Sequence, residues 1–382
     1  MTHQLTRGQA RRLVLRAQAL DADRPGDVVE VAERLGAIKI DPTAVIASCE
    51  HTVLWSRIGW GYETTQLRRA VEDDRMLFEF DGAFRPMSLL PLMLPAMRRW
   101  PTHDRSREWL AANEKFRREV LAHLRAEGPL MAGDIPDTAQ VRRAPDGWYG
   151  PNQAVHMLEF LMRQGEVAIT RREGRQRVWD LAERVYPKDL PEYGDDEVAH
   201  LLEERHLQAA GIAKPHRHWN GVGEEAGEPA TVEGSRWKFR VDPVALAVLE
   251  RDEPGGRASF LNPYDSVLYD RGRLTELFDF TYVLEQFKRR IWCALSSLIW
   301  PVGSAWEWKT PGESVRVRRC RNPGAACERG GCTIPRRTHH AAHSSHARYL
   351  RGGLRGSHSS RRVSKISASS SGMSVRSSIL AP

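Results

Sequence analysis

The stretch NQAVHMLEFLMRQGEVAITRREGRQRVWDL, residues 152–181, decides the fold. Its first half is a helix by pattern. Asn152 stands as the N-cap, Val155, Leu158 and Met162 recur at helical spacing, and Gly165 stops the run. Its second half, 166–181, reads as strand, turn, strand. Upstream, Arg107 to Glu127 is amphipathic, with Phe116, Val120, Leu121 and Leu124 on one stripe, and Gly128-Pro129 ends it. The segment LMAGDIP at 130–136 fits a short second helix. Helix, helix, helix, hairpin is the order of a winged helix, a helix-turn-helix variant with a β wing. The hairpin tip is basic, so Arg171, Arg172, Arg175 and Arg177 are candidate DNA phosphate contacts. A solvated, charged turn is the plainer alternative.

Working outward, residues 195–250 repeat the pattern loosely, with a helix from Asp195 and a hairpin-like TVEGSRWKFRVD at 231–242. Toward the N-terminus, Thr6 with Gln9 and Asp27 with Glu30 read as capping boxes, and Gly36 closes the second helix. The three prolines Pro86, Pro91 and Pro95 break a Leu/Met-rich stretch into packed loop and short helix. The expected organisation is four segments. Residues 1–105 form a first unit, 106–187 a second, 188–287 a third, and 288–382 a basic Ser/Arg-rich tail.

The densest chemistry lies in the first unit. Ala37-Ile38-Lys39-Ile40-Asp41 alternates at period two, so Ile38 and Ile40 share one face and Lys39 and Asp41 the other. A lysine and a carboxylate on one side of an extended segment can point into one cleft. His51, Trp55 and Arg57 follow as a polar and aromatic cluster. Each has a structural alternative: an exposed Lys39–Asp41 salt bridge, a structural His51, a core Trp55.

The net charge of +8 is unevenly spread. Residues 287–382 carry 18 Lys and Arg against 3 Asp and Glu, which leaves 39 basic and 46 acidic residues in 1–286. Overall charge therefore gives the body no argument for nucleic acid, and local patches must supply it. Of the five cysteines only Cys49 precedes residue 293, which suits a reducing compartment. The cysteines at 320, 327 and 332 match no usual zinc spacing, so no metal is expected. No apolar run is long enough to span a bilayer and no signal peptide is evident, so the expected location is cytoplasmic. Past Phe287 periodicity is lost and acidic residues nearly vanish. The tail reads as disordered or, given the abrupt switch, as out-of-frame sequence.

Seven segments in order resemble the winged-helix DNA glycosylases of the YcaQ/AlkZ type, bacterial crosslink-repair enzymes. They are IDPT at 40–43, EHTVLWSRIG at 50–59, LFEFDGAFRPMSLLP at 77–91, GPLMAGDIPDT at 128–138, MLEFLMRQGEVAI at 157–169, GRQRVWDLAERVYP at 174–187 and SFLNPYDSVLYDRGRLTELFDFTYVLE at 259–285. The resemblance covers about residues 4–287. It implies an α+β, mainly α fold of tandem winged helices lining a channel. It also implies a C-terminal β-barrel, which here is missing or scrambled because the similarity stops near Tyr282–Trp292.

The resemblance implies excision of N7-alkylated purines from double-stranded DNA, unhooking of interstrand crosslinks, no cofactor, and a monomer working at the nucleoid. The family signature in the catalytic strand is Gln, an apolar residue, then Gln or Asp. Asp41 keeps the carboxylate, while Lys39 replaces the glutamine. Asp41 is then the water-orienting group, and His51, Trp55 and Arg57 are DNA contacts. Lys39 stands with Asp41 as a catalytic candidate: lysine offers only donors when charged, so it would pair with the carboxylate and hold it ionised or meet a nearby phosphate, and with a depressed pKa it would instead attack C1′ as a Schiff-base nucleophile. The alternative function is a non-catalytic winged-helix DNA-binding protein, either a regulator or a degenerate glycosylase.

Overall fold

The computed structural model describes residues 1–42, 46–143, 151–215, 222–249, 257–283 and 298–301. Strand β1 (His3–Leu5) leads into α1 (Arg7–Ala17), whose first turn carries the Thr6–Gln9 capping box. Helix α2 (Val28–Leu35) starts where Asp27 accepts the N–H groups of Val29 and Glu30, both at 2.8 Å, and stops at left-handed Gly36. Next come β2 (Ile38–Lys39), α3 (Cys49–Ile58), α4 (Thr64–Glu72) and the hairpin β3 (Leu77–Phe80) with β4 (Ala83–Pro86). Asp81 and Gly82 both take positive φ, 50° and 73°, the two-residue turn that suits strand twist.

The proline-rich stretch is more helical than expected. Helix α5 (Leu90–Arg99) runs through Pro95, with Pro91 in its first turn, where a missing N–H costs nothing. Its buried Leu90, Leu92 and Met97 hold it against neighbouring elements. The single helix expected over 107–127 is two, α6 (Asp104–Ala112) and α7 (Glu114–Glu127). Buried Asn113 divides them. Its side chain donates to Trp109 O at 2.9 Å and Val141 O at 3.0 Å, and accepts from Val141 N at 3.1 Å. Residues 130–136 form β5 (Leu130–Met131) and a 3-10 turn rather than the expected helix.

The rest of the chain gives α8 (Gln153–Arg163), β6 (Val167–Glu173), β7 (Gln176–Leu181), α9 (Ala182–Val185), α10 (Asp195–Ala210), β8 (Ile212–Ala213), β9 (Glu228–Val232), β10 (Lys238–Val241), α11 (Pro243–Leu249), β11 (Ala258–Leu261), α12 (Arg271–Phe278) and β12 (Leu298–Pro301). The hairpins expected around 166–181 and 231–242 are both present, as β6–β7 and β9–β10.

Six strands make one antiparallel sheet in the order β2-β4-β3-β6-β7-β5. Its two hairpins join at a single register point, Glu79 opposite Ile169. One core fills one side: Phe78 and Phe80 pack with Phe116, Leu124, Leu158, Leu161 and Trp179. Ile38 and Phe84 lie in a second core with α2, α3 and α4.

A second sheet runs β1-β9-β10-β8, with β1 parallel to β9. Its core unites Leu5, Ala10, Leu13 and Val14 with Val232, Phe239, Leu274 and Leu277. The expected first unit, 1–105, is therefore divided. Its first twenty residues share a core with 212–282, because a parallel pairing across the chain leaves no local trace in sequence. The architecture is mixed α+β and helix-rich, as expected. The expected tail lies outside the described residues except for 298–301, which pair with β11. The expected loss of the barrel also falls there.

Candidate functional site

Strand β2 is anchored by its apolar face. Ile38 is fully buried, and Ile40 packs partly buried against the same core. Lys39 and Asp41 are both half-buried, and the strand itself ends at Lys39. Lys39 pairs with Ala83 across the ladder, and Ile40 N–H donates to Gly82 O at 2.9 Å. The Lys39 ammonium lies over that turn: a Cβ on Gly82 would stand 3.5 Å from Nζ.

Asp41 sits at the junction between β2 and α3, and its main chain is held from both sides. Its carbonyl accepts the Cys49 N–H at 3.2 Å, and its N–H donates to Glu50 Oε2 at 3.4 Å. Ser48 Oγ donates to Glu50 Oε1 at 2.6 Å. Glu50, in the first turn of α3, thus closes the loop that carries Asp41, in a position the helix dipole favours. Sequence reasoning passed over Glu50. The available signal was Ser48 two residues before an acid at a helix start.

His51 and Tyr62 are a pair, Nδ1 to Oη 2.6 Å. Burial pulls the imidazole below its ordinary range, with Glu50 pulling the other way. Burial first, and Glu50 second, push the Tyr62 phenol up. A neutral imidazole can accept from the phenol at Nδ1 or donate to it, and either way the contact ties the His51 ring to Tyr62.

Trp55 is not core: it is 38% exposed and meets Trp60 edge to face, with ring centroids 5.9 Å apart at 85°. His51 and Trp55, one helical turn apart, lie on the same face of α3.

The structure corrects Arg57 as a phosphate contact. Its side chain is fully buried, and its guanidinium is spent on Asp265, Gln18 O and Ser56 Oγ. A buried guanidinium whose donors are occupied cannot reach a phosphate. The basic hairpin is corrected in part for the same reason. Arg172 grips Glu79 with Nε and Nη2, both at 2.6 Å. Arg177 bonds Glu79 at 2.6 Å and also pairs with Glu159. Both acids are buried, so these two arginines neutralise charge inside the protein. Arg171 pairs with neighbouring Glu173 at 2.7 Å, and Arg175 is exposed at the tip. Of the four, Arg171 and Arg175 remain available to a ligand.

Among the described residues no group of three or more His, Cys, Asp and Glu side chains is placed to hold a metal ion. No described helix is long and apolar enough to cross a membrane. The arrangement offers a half-buried carboxylate on a held backbone, a half-buried lysine two residues before it, an imidazole paired with a phenol and two exposed indoles.

The chain is similar to known proteins in sequence and in structure. The sequence model of a family described as DNA glycosylase AlkZ-like matches residues 32–295, well over half of the chain. Among solved structures, the chain is similar to a Streptomyces sahachiroi DNA glycosylase AlkZ at 18% identity and a TM-score of 0.47. That match covers 71% of this chain and 82% of the other.

Proposed function

Because the chain belongs to the AlkZ-like DNA glycosylase family, we propose that it hydrolyses the N-glycosidic bond of N7-alkylated purines in double-stranded DNA. Crosslinks through purine N7 fall within the same chemistry. In this reading the units α2 to β4 and α7 to β7 are winged helices, and the chain acts as a monomer in the cytoplasm at the nucleoid.

Alkylation at N7 places positive charge on the purine, so the base departs without much acid catalysis. The demand shifts to the sugar, where oxocarbenium character develops at C1′ and water must attack. Asp41 is the group assigned to orient that water and to face the developing cation. The observation that carries this is its setting: half-buried at the end of an edge strand, with its N–H and C=O tied to Glu50 and Cys49. A carboxylate on a fixed main chain loses little orientational freedom on reaching the transition state. His51, its ring held on Tyr62, is assigned to contact the lesion strand.

The test is release of N7-methylguanine from alkylated duplex DNA by the purified chain. Asp41→Asn should lower release by about a hundredfold or more. Equal release by wild type and variant would reject Asp41.

Lys39 favours a second reading, a DNA-binding protein without catalysis, because its ammonium covers the Gly82 turn where the family carries an amide. Lys39→Gln separates the two. Gain of base release marks an enzyme retuned at this position, whereas unchanged binding with no release marks a binding module.

A further inference from the structure

We propose that Trp60, backed by Trp55, is a stacking platform for an unstacked nucleobase beside the Asp41 site. The proposal takes its ligand, DNA, from the glycosylase reading and its position from the geometry of one turn.

Trp60 is 93% exposed, and its recorded ring contact is the edge contact with Trp55. An exposed indole on a loose loop would mean little. This one stands on a built turn. Gly59 N–H donates to Trp55 O at 2.8 Å, and Tyr62 N–H donates back to Gly59 O at 3.1 Å. Gln66 Nε2 donates to Gly61 O at 3.2 Å. The Tyr62 hydroxyl is fixed on His51. Gly59 itself has φ +85°, and a Cβ there would come within 2.6 Å of Arg24 Nη1. The Arg24 guanidinium therefore packs on the turn, where it donates to Arg57 O at 3.1 Å. The fold thus spends at least five fixed contacts on holding a tryptophan out in water, next to a cation.

That combination suits single-stranded nucleic acid: an indole face for a base and a guanidinium near the backbone. The location suits it too. Cys49, bonded to Asp41, and Trp55 lie six residues apart on α3, a rise of about 9 Å. The helix whose first turn holds the Asp41 main chain thus carries Trp55 in its second turn and leads into the Trp60 turn. Extracting a base for chemistry at its sugar leaves neighbours without a stacking partner, and an indole can supply one.

The experiment titrates full-length protein with a duplex carrying a single abasic site and with an intact duplex, following tryptophan emission. The chain has 12 tryptophans, so the Trp60 signal is read as the difference between wild type and Trp60→Phe. Wild type should show quenching that Trp60→Phe lacks, larger on the abasic duplex. Trp60→Ala should weaken abasic-duplex binding about tenfold, with Trp60→Phe retaining most of it. Binding by Trp60→Ala within twofold of wild type, with quenching unchanged, would overturn the proposal. So would a concentration-dependent dimer abolished by Trp60→Ala, which would assign the pair to a second copy. Asp41→Asn keeps the two readings apart. Trp60-dependent quenching without base release removes the glycosylase and leaves the platform; base release that ignores Trp60 does the reverse.

Discussion

Arg57 and Asp265, 208 residues apart in sequence, form a two-pronged ion pair with neither side chain exposed to solvent. The same guanidinium reaches Gln18 O at 3.1 Å, and Asp265 also accepts the N–H of Val267 at 3.2 Å. One charge pair therefore joins α3 to the end of α1 and to the segment after β11. Asp265→Ala strands a buried cation and should destabilise the protein by about 3–5 kcal/mol. Arg57→Met combined with Asp265→Leu should recover most of that, read from urea midpoints. Arg57→Met should leave the salt dependence of DNA binding unchanged.

At the second hairpin, exposed Arg175 and half-buried Arg172 should behave differently. Arg175→Ala should reduce the salt slope of duplex binding by about 0.9, the value of one phosphate contact. Arg172→Ala should leave the slope alone and cost about 1–3 kcal/mol, since buried Glu79 loses two charge-assisted hydrogen bonds. Binding isotherms at several salt concentrations check the first, and thermal unfolding checks the second.

Burial lowers both His51 and His206 below the ordinary 6.5, with Arg273 adding to the effect at His206. The unfolded chain then takes up protons before the folded one does. Stability from these groups is complete above 6.5 and declines as pH falls from 6.5 through each folded-state pKa. Urea midpoints measured from about pH 8 down to about pH 5 should fall less steeply in His206→Gln than in wild type.

Glu50 holds the Asp41 main chain through its carboxylate, so on the proposed reading it positions Asp41. Glu50→Ala should lower base release about tenfold while leaving DNA affinity near wild type, because it frees the loop without removing a DNA contact. Glu50→Gln keeps an acceptor for the Asp41 N–H and should retain part of the activity. A pH–rate profile unchanged between Glu50→Gln and wild type would show that the Glu50 charge is not used.

Local signals survived folding well. The Thr6 box, the Asp27 cap, the Gly36 stop and both hairpins stand where pattern puts them, since each depends on residues within a few positions, whereas the expected Asp27–Glu30 box is only half formed because Glu30 accepts the Gly26 N–H at 2.8 Å instead. Of the alternation expected over residues 37–41 the strand keeps two residues, buried Ile38 and half-buried Lys39, because the pairing with β4 is that short. What pattern could not show was who pairs with whom. Arg57, Arg172 and Arg177 look like a DNA footprint in one dimension, yet their acids come from Asp265, Glu79 and Glu159. Asn113 was similarly opaque, because the Val141 backbone that breaks the helix there is 28 residues away. Trp60 drew no notice because a tryptophan in sequence suggests a core.

The parallel pairing of β1 with β9 has a consequence for synthesis on the ribosome. The apolar face of α1, with Ala10, Leu13 and Val14, is made about 200 residues before its partners and meets β9, β10 and α12 only after they too have left the tunnel. At ordinary elongation speeds that wait is roughly 15–50 s. Through that interval the nascent chain carries an uncovered apolar helix face, and α1 should be a site of chaperone capture.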